Sequence, residues 1–362
     1  MEELKAKAGG ELVGGRYELA EIAGRGGMAV VWRGRVRGDR GFARPVAVKQ
    51  VHDHLAEQPL YAEMFAEEAR IGAELQDPNI AQTYDFVVEE DSYYLVMEWI
   101  DGIDLGAYVH HVRDRGESAP WELVTAIGIG VLRGLAAAHE RKDDTGQPAP
   151  IVHRDVSPHN ILINRQGMAK LIDFGLSLAG DRRKELTDPG IVKGKMAYLA
   201  PEIVQGMRPS PASDQFAMGS VLWEALVGRK LFEAETDYEV YRKLHNGQVE
   251  PLRPRRPDLP AKLVKVIHRA LEPEPEDRFE STREMARQLG EVLKGSRNTQ
   301  DLHARLSRMV ARVSESGYAK GPDELSDATP VAEAGADAQP LAEEAPKQRG
   351  LVHKLSQFLR GR

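Results

Sequence analysis

The 362-residue chain contains no cysteine, which excludes disulfide frameworks, thiolate nucleophiles and cysteine-based zinc or iron–sulfur sites. It also lacks an excess of positive charge. Its 49 Lys and Arg stand against 56 Asp and Glu, so no global basic field attracts nucleic acid. No apolar leader and no uninterrupted apolar run of about 18 residues occur. These absences predict a cytoplasmic protein that does not bind nucleic acid.

The hydrophobic fraction of 41% is enough for one large core or two modest ones. From Tyr17 to Val51, apolar and polar residues alternate between glycines, which predicts three antiparallel strands. Residues 59–75 carry apolar residues at helical spacing, and two further β-rich runs meet at Glu90-Asp91. The first hundred residues therefore predict a small lobe of one sheet and one helix.

After Asp101-Gly102 the pattern changes to long amphipathic helices that continue to about residue 295. The sequence thus predicts an α+β fold with a β-rich lobe over 17–101 and a larger, mainly α lobe over 102–295. Residues 1–16 are predicted to be an N-terminal extension, and 296–318 a helical extension. That last helix either packs on the lobe or extends outward.

The C-terminal part divides into two segments of opposite charge. Residues 321–350 hold seven Asp and Glu, two Lys and Arg and only three Leu or Val, so we expect a disordered acidic linker over 319–350. Residues 351–362 place apolar residues at helical spacing among basic ones, which predicts a short amphipathic helix. A frayed end or docking on its own protein is the simpler interpretation, and contact with a partner or a membrane surface is the alternative.

A glycine-rich hairpin, Gly24-Arg25-Gly26-Gly27-Met28-Ala29, lies between two predicted strands. Glycines let the backbone approach phosphate oxygens that a Cβ would push away. Ala29 stands where G-x-G-x-x-G has its last glycine, and a strand follows rather than the helix of a dinucleotide fold. A purely structural turn remains the alternative.

Lys49 ends the apolar strand Val46-Ala47-Val48-Lys49. A carboxylate on the following helix would hold its ammonium against nucleotide phosphates. Glu67 and Glu68 both qualify, and the spacing to the end of the helix favours Glu68.

The strongest signal is a pair of motifs. One is His153-Arg154-Asp155-Val156-Ser157-Pro158-His159-Asn160, and the other is Asp173-Phe174-Gly175. The first motif is followed by an apolar β segment, and the second is preceded by one. Two carboxylates and one carboxamide fixed in this way suit a site that orients a hydroxyl and binds hard cations through oxygen.

With these motifs in this order, residues 17–293 resemble the eukaryotic-like (Hanks-type) protein kinases, and most closely the bacterial serine/threonine kinases. The resemblance implies that Lys49 contacts the α- and β-phosphates, Glu68 anchors Lys49, and Asp155 is the catalytic base. Asn160 and Asp173 would hold magnesium. The nucleotide would contact these residues: Ala23, Gly24, Arg25, Gly26, Gly27, Met28, Ala29, Val31, Ala47, Lys49, Met97, Glu98, Ile100 and Leu162.

The second half of the chain favours a protein kinase over kinases of small metabolites, because Glu202, Asp214 and Arg278 match positions of the substrate-binding lobe. Glu202 and Arg278 would form a buried ion pair, a structural role. Arg154 beside the catalytic aspartate implies binding of a phosphorylated activation loop. Thr187, and second Ser177, are the predicted autophosphorylation sites.

One departure concerns the cation near the transferring phosphate. Ser157 stands where serine/threonine members of the family usually have lysine. Lys195 occupies the place of a threonine that usually bonds the catalytic aspartate, so we hypothesise that Lys195 supplies the missing charge. An exposed loop lysine is the alternative.

The sequence therefore predicts a serine/threonine protein kinase that uses ATP and Mg²⁺. The alternative is a pseudokinase, a nucleotide-binding scaffold acting through protein contacts. The predicted partners are protein substrates of unknown identity. Self-association through the small lobe and a contact of residues 351–362 are left open.

Overall fold

The computed structural model of the protein describes residues 12–56, 58–89, 92–174, 196–296 and 298–317. Within them the chain forms the predicted two-lobed α+β fold, with a β-rich small lobe followed by a mainly helical large lobe. The predicted segments 319–350 and 351–362 lie outside the described residues.

The small lobe is built on a six-stranded antiparallel sheet of order β1-β2-β3-β4-β6-β5. Alternate residues of its strands bury one face in an apolar cluster that includes Trp32, Tyr94 and Val48. The strands are β1 (Leu12–Val13), β2 (Tyr17–Arg25), β3 (Ala29–Arg37), β4 (Ala43–Val51), β5 (Thr83–Glu89) and β6 (Ser92–Glu98).

The other face of this sheet packs against helix α2 (Pro59–Glu74). Phe65 and Ala69 of the helix are buried with Val51 and Leu95 of the sheet. Pro59 begins the helix, where the N–H that proline lacks has no intrahelical partner in any case. The helix predicted over 59–75 is therefore confirmed.

Two details of the small lobe differ from the prediction. The sheet already includes Leu12, the first described residue, because Gly14 and Gly15, both at positive φ, turn the chain so that β1 pairs with β2. A strand of two residues is too short to show an alternating pattern, so residues 1–16 read as an extension. A four-residue helix, α1 (Asp53–Ala56), also precedes α2, so the lobe has more than the one predicted helix.

The large lobe surrounds helix α6, in which Phe216 and Trp223 are fully buried. Helices α4 and α9 pack beside it. The helices of this lobe are α3 (Leu105–Asp114), α4 (Trp121–His139), α5 (Pro201–Val204), α6 (Pro211–Val227), α7 (Asp237–His245), α8 (Leu252–Arg255), α9 (Ala261–Ala270), α10 (Thr282–Lys294) and α11 (Leu302–Glu315).

A small sheet of order β7-β8-β9 carries the motif residues. Its strands are β7 (Gly102–Asp104), β8 (Ile161–Asn164) and β9 (Ala169–Leu171). Asn160 immediately precedes β8, and Asp173 follows β9 by two residues. The hairpin thus brings the two motifs together, and Ile172 N donates to Asn160 O at 3.0 Å.

Helix α4 is the one described helix that is long and apolar enough, by length and composition, to cross a membrane. In the sequence this segment is not an uninterrupted apolar run, because it contains Glu122 and Arg133. In the fold, 67% of its most apolar window is buried inside the protein. It serves as a core helix of the large lobe.

Helix α11 packs on the large lobe rather than extending outward. It buries Leu306, Met309, Val310 and Val313 against α3, α4 and the β7-β8-β9 sheet. Gly167, in the turn between β8 and β9, lies directly against it. Helix α11 therefore supports the hairpin that carries the motif residues.

We expect Gly167→Ala to destabilise the protein, because Gly167 has φ +79 and an alanine Cβ would lie 2.6 Å from His303 O. Gly146→Ala is the matched control, since Gly146 has φ +81 but open space around it. The positive φ alone costs about 1–2 kcal/mol in either variant. Chemical denaturation should show a larger loss for Gly167→Ala, and equal losses would contradict the support of this turn by α11.

Candidate functional site

Lys49 connects the two lobes. Its Nζ lies 3.0 Å from Glu68 Oε1, on α2, and 2.7 Å from Asp173 Oδ1, in the large lobe. The Lys49 and Glu68 side chains are only 6% and 4% exposed. Of the two glutamates that the sequence offered, Glu68 contacts Lys49, whereas Glu67 pairs with Arg70 at the surface.

The charges of this cluster support one another. Burial alone would lower the pKa of Lys49, but the Asp173 and Glu68 carboxylates outweigh it and raise that pKa above its ordinary value. Burial raises the pKa of the Glu68 carboxyl. Lys49 therefore keeps its charge at neutral pH.

The sheet places four of the predicted nucleotide residues on one face. Lys49 lies opposite Val31 on β3, and Ala47 lies opposite Met97 on β6. Directly opposed residues project on the same side of a sheet, and so do residues two apart in a strand. Val31, Ala47, Lys49 and Met97 therefore share the face that also packs on α2.

The glycine-rich hairpin closes one end of this face. Ala23, Gly24 and Arg25 end β2, Ala29 begins β3, and Gly26 N donates to Ala29 O at 2.8 Å. His52 holds the turn from the side, with its Nε2 2.8 Å from Gly26 O.

Two glycines of this turn are not required by the fold. Neither Gly26 nor Gly27 has a positive φ. A Cβ on Gly27 would meet no atom within 4 Å, and one on Gly26 would meet only Ala29 O at 3.6 Å. An exposed backbone without Cβ atoms fits a phosphate group that approaches the chain closely.

The predicted hinge, 98–100, joins β6 to β7, and Leu162 lies on β8 in the large lobe. The hinge also carries an ion pair that the sequence analysis missed. Lys170 Nζ, from β9, lies 2.9 Å from Glu98 Oε2. The available signal was a lysine inside an apolar strand, because such a lysine needs a buried partner.

Asp155 and Asn160 are bonded to each other. The Asn160 side-chain amide donates to Asp155 O at 2.8 Å and to Asp155 Oδ2 at 3.1 Å. Because these bonds use the amide nitrogen, the Asn160 side-chain oxygen is the atom left for a cation.

Buried Asp214 fixes the backbone before Asp155. Its carboxylate accepts from His153 N at 2.8 Å and Arg154 N at 2.9 Å, and His139 Nε2 lies 2.8 Å away. Burial would raise the pKa of Asp214, but His139 and the backbone donors hold it below its ordinary value. The predicted structural role of Asp214 is thus to hold the segment that positions the proposed base.

His153 links the two motifs. Its Nδ1 accepts from Asp155 N at 3.2 Å, and its Nε2 donates to Ile172 O at 2.9 Å, which assigns the neutral ring. The ring also contacts Phe174 edge-on, with centroids 4.5 Å apart. One side chain therefore fixes the spacing between Asp155 and Asp173.

Two motif residues have strained backbones, Arg154 at φ 70° and Asp173 at φ 62°. Such values are unfavourable for residues other than glycine and persist only where the surroundings hold them. Here Asp214 bonds Arg154 N, and Lys49 bonds the Asp173 side chain.

The donor set fits Mg²⁺ delivered with a nucleotide. Asn160 and Asp173 supply amide and carboxylate oxygen, the ligands that this cation prefers. Among the described residues no group of three or more His, Cys, Asp or Glu could hold a metal ion. A site with so few protein ligands suits Mg²⁺, which usually completes its shell with phosphate oxygens and water.

Glu202 and Arg278 form the predicted pair in the interior of the large lobe. Both guanidinium NH groups of Arg278 lie 2.7 Å from the Glu202 carboxylate oxygens. The side chains are 4% and 0% exposed. Arg278 also donates to three backbone carbonyls, so its charge is fully surrounded by acceptors.

Three predicted residues, Lys195, Thr187 and Ser177, lie outside the described residues. Ser157, at the usual lysine position, is buried at the start of the 158–160 turn.

We expect Glu202→Gln to lower the free energy of unfolding by about 3–5 kcal/mol, because it leaves the buried Arg278 charge uncompensated. Glu140→Gln is the matched control. Glu140 forms the same kind of paired contact with Arg283 at the surface, where the expected loss is below about 1 kcal/mol. Denaturant titration that gives similar losses for both variants would contradict this account of the buried pair.

Comparison with known proteins agrees with this geometry. The chain is 38% identical over 265 residues to the tyrosine-protein kinase MasK of Myxococcus xanthus, covering 73% of this chain and 41% of that relative. It is 32% identical over 276 residues to the serine/threonine-protein kinase PrkC of Bacillus subtilis, covering 76% of this chain and 40% of that relative. The chain spans about two fifths of the length of these two relatives.

Solved structures show the same architecture. The crystal structure of the PknI kinase domain of Mycobacterium tuberculosis has a TM-score of 0.60 at 28% identity, covering 80% of this chain and 100% of that chain. The family model described as protein kinase domain matches residues 17–289, which include every motif residue of the site. With Lys49, Asp155, Asn160 and Asp173 assembled between two such lobes, the chain belongs to the protein kinase family.

Proposed function

We propose that the protein is a serine/threonine protein kinase that transfers the γ-phosphoryl group of ATP to hydroxyl groups of protein substrates. The observation that carries this proposal is the Lys49 ammonium held between Glu68 and Asp173, at 3.0 and 2.7 Å. Because groups from both lobes hold this ammonium, it is positioned to contact phosphate only when the two lobes are in this relative position. Phosphoryl transfer depends mainly on such positioning and charge stabilisation.

We assign the remaining roles from the same geometry. Asp155, held by Asn160, accepts the proton of the attacking hydroxyl. Asn160 and Asp173 would hold Mg²⁺, which offsets the negative charge of the phosphates when it is bound. The adenine would lie between Ala47 and Leu162 at the 98–100 hinge. Because ATP is the proposed phosphoryl donor, we propose the cytoplasm as the location of this reaction.

The class of acceptor is supported by the relatives. PrkC and the PknB of Mycolicibacterium smegmatis, 34% identical over 286 residues, are serine/threonine-protein kinases by name. MasK, by contrast, is named a tyrosine-protein kinase. Ser157 stands in place of the lysine that is usual in serine/threonine members. The test below therefore also identifies which type of residue accepts the phosphoryl group. Self-association through the small lobe and a contact of residues 351–362 stay predictions.

The test is to incubate the full chain with Mg²⁺ and γ-labelled ATP, with and without a generic protein substrate. We expect label on serine or threonine in the parent, and at least about a hundredfold less in Asp155→Asn, which lacks the proton acceptor. Mass spectrometry identifies the acceptor. Label on tyrosine alone would refute the serine/threonine assignment, and ATP binding without any transfer would favour the scaffold.

The adjacent glutamates provide a matched pair for the Lys49 contact. Glu68→Gln removes the carboxylate that positions Lys49, so we expect kcat to fall by about tenfold or more. Glu67→Gln, one residue away, changes only a surface pair with Arg70 and should leave kcat unchanged. Equal effects of the two substitutions on labelling rates would show that Glu68 has no special role.

Lys195 and the activation loop are tested in the same assay. If Lys195 supplies the charge missing at Ser157, Lys195→Ala should slow transfer about a hundredfold. An unchanged rate beside an inactive Asp155→Asn would refute this role. Phosphopeptide mapping of the active parent should find Thr187 or Ser177 modified, and finding neither would refute the predicted autophosphorylation.

A further inference from the structure

A groove of about 320 Å³ lies on the large lobe between α3, the start of α4 and α11, away from the site. We call it the α3–α11 groove. Its floor is apolar, with Tyr108, Leu123, Met309 and Val313, and its rim carries three arginines of one helix face. These arginines are Arg305, Arg308 and Arg312.

Within the described part of the chain, positive charge is in excess along this rim. Arg308 and Arg312 are exposed and form no ion pair with any described residue. The one acidic residue in the lining, Glu117, is bonded to Arg115 at 2.7 Å and attracts Arg312 at longer range. The three arginines of the rim therefore face a single carboxylate of the lining, which Arg115 shares. An apolar floor with an unbalanced arginine rim suits a peptide that places an apolar side chain between acidic ones.

The chain itself leaves helix α11 beside this groove. Ser316 Oγ lies 3.1 Å from Nδ1 of His111, which lines the groove. Gly317, at φ +82, ends the helix in the left-handed conformation that lets a chain reverse its direction. The residues after 317 therefore start at the edge of the groove.

The sequence that follows has the matching chemistry. Asp323-Glu324-Leu325-Ser326-Asp327 places one leucine among three carboxylates. Asp323 follows Gly317 by six positions, and this length of chain reaches up to about 20 Å. The arginine rim from 305 to 312 extends over about 10 Å of helix, so the segment is long enough to lie along it.

We propose that residues 323–327 bind in the α3–α11 groove of their own chain. Leu325 lies on the apolar floor, and the carboxylates of Asp323, Glu324 and Asp327 meet the arginine rim. Exposed ion pairs are individually weak, but the short tether gives the segment a millimolar effective concentration at the groove. The proposal does not depend on phosphoryl transfer.

The absence of cysteine makes the test direct. Ala304→Cys, on the exposed side of α11, and Ser326→Cys provide two sites for spin labels in the full chain. About 20 Å of helix separates residue 304 from the exit at 317, so an undocked segment gives a long, broad distance distribution. We expect instead a short, narrow distance. The fraction of molecules that show this short distance should fall strongly at high salt, where the Debye length falls to about 3 Å.

Charge reversal identifies the surface. Arg308→Glu with Arg312→Glu should abolish the short distance. Lys262→Glu with Lys265→Glu, the same charge change on exposed residues of α9, should leave it unchanged. Leu325→Ser should also abolish it, and this substitution changes none of the residues that line the groove, so the groove itself stays intact in this variant.

Three outcomes would overturn the proposal. One is a broad distance distribution in the parent protein, which would leave the groove to an acidic segment of another protein. Another is a short distance that persists after reversal of Arg308 and Arg312. The third is a short distance between two singly labelled molecules mixed together, which would place the groove in a contact between copies.

Discussion

The architecture of the site depends on one buried ammonium group. Lys49 belongs to the small lobe, and Asp173 belongs to the large lobe, with Glu68 as the second carboxylate on α2. A buried lysine without partners would lose its charge or destabilise the fold. The two lobes must therefore keep the relation that brings both carboxylates to Lys49. The groups that would bind phosphate and metal are assembled by the same contact.

A second buried charge organises the other half of the site. The Asp214 carboxylate holds the backbone at His153 and Arg154, and His153 in turn bonds to Asp155 N and Ile172 O. The left-handed backbone at Arg154 is strained, and these bonds offset its cost. The proposed base and the proposed metal ligand are therefore fixed by one network that begins in the interior of the large lobe.

The features that could be predicted from the sequence are those that follow from local residue patterns and from the order of the motifs. Strands β2 to β6 of the small lobe, helix α2 and the two-lobed fold were confirmed, since alternation and helical spacing are local properties. The Lys170 to Glu98 pair and the contact of His139 with Asp214 were not predicted, because they join residues 72 and 75 positions apart that no local pattern pairs. The equally distant Glu202 and Arg278 were paired only through the resemblance. Strand β1 was missed because a strand of two residues is too short to show alternation of apolar and polar residues. The docking of α11 depends on the shape of the surface that receives it, which no spacing reveals.

The central claim is that Lys49 and Asp173 couple the two lobes. A double-mutant cycle on the free energy of unfolding, with Lys49→Met, Asp173→Asn and both together, measures this coupling directly. The account predicts a coupling free energy of about 1 kcal/mol or more, because each substitution removes the partner of the other. If the loss in the double variant equals the sum of the two single losses within about 0.3 kcal/mol, the account is contradicted, since residues that do not interact give additive losses.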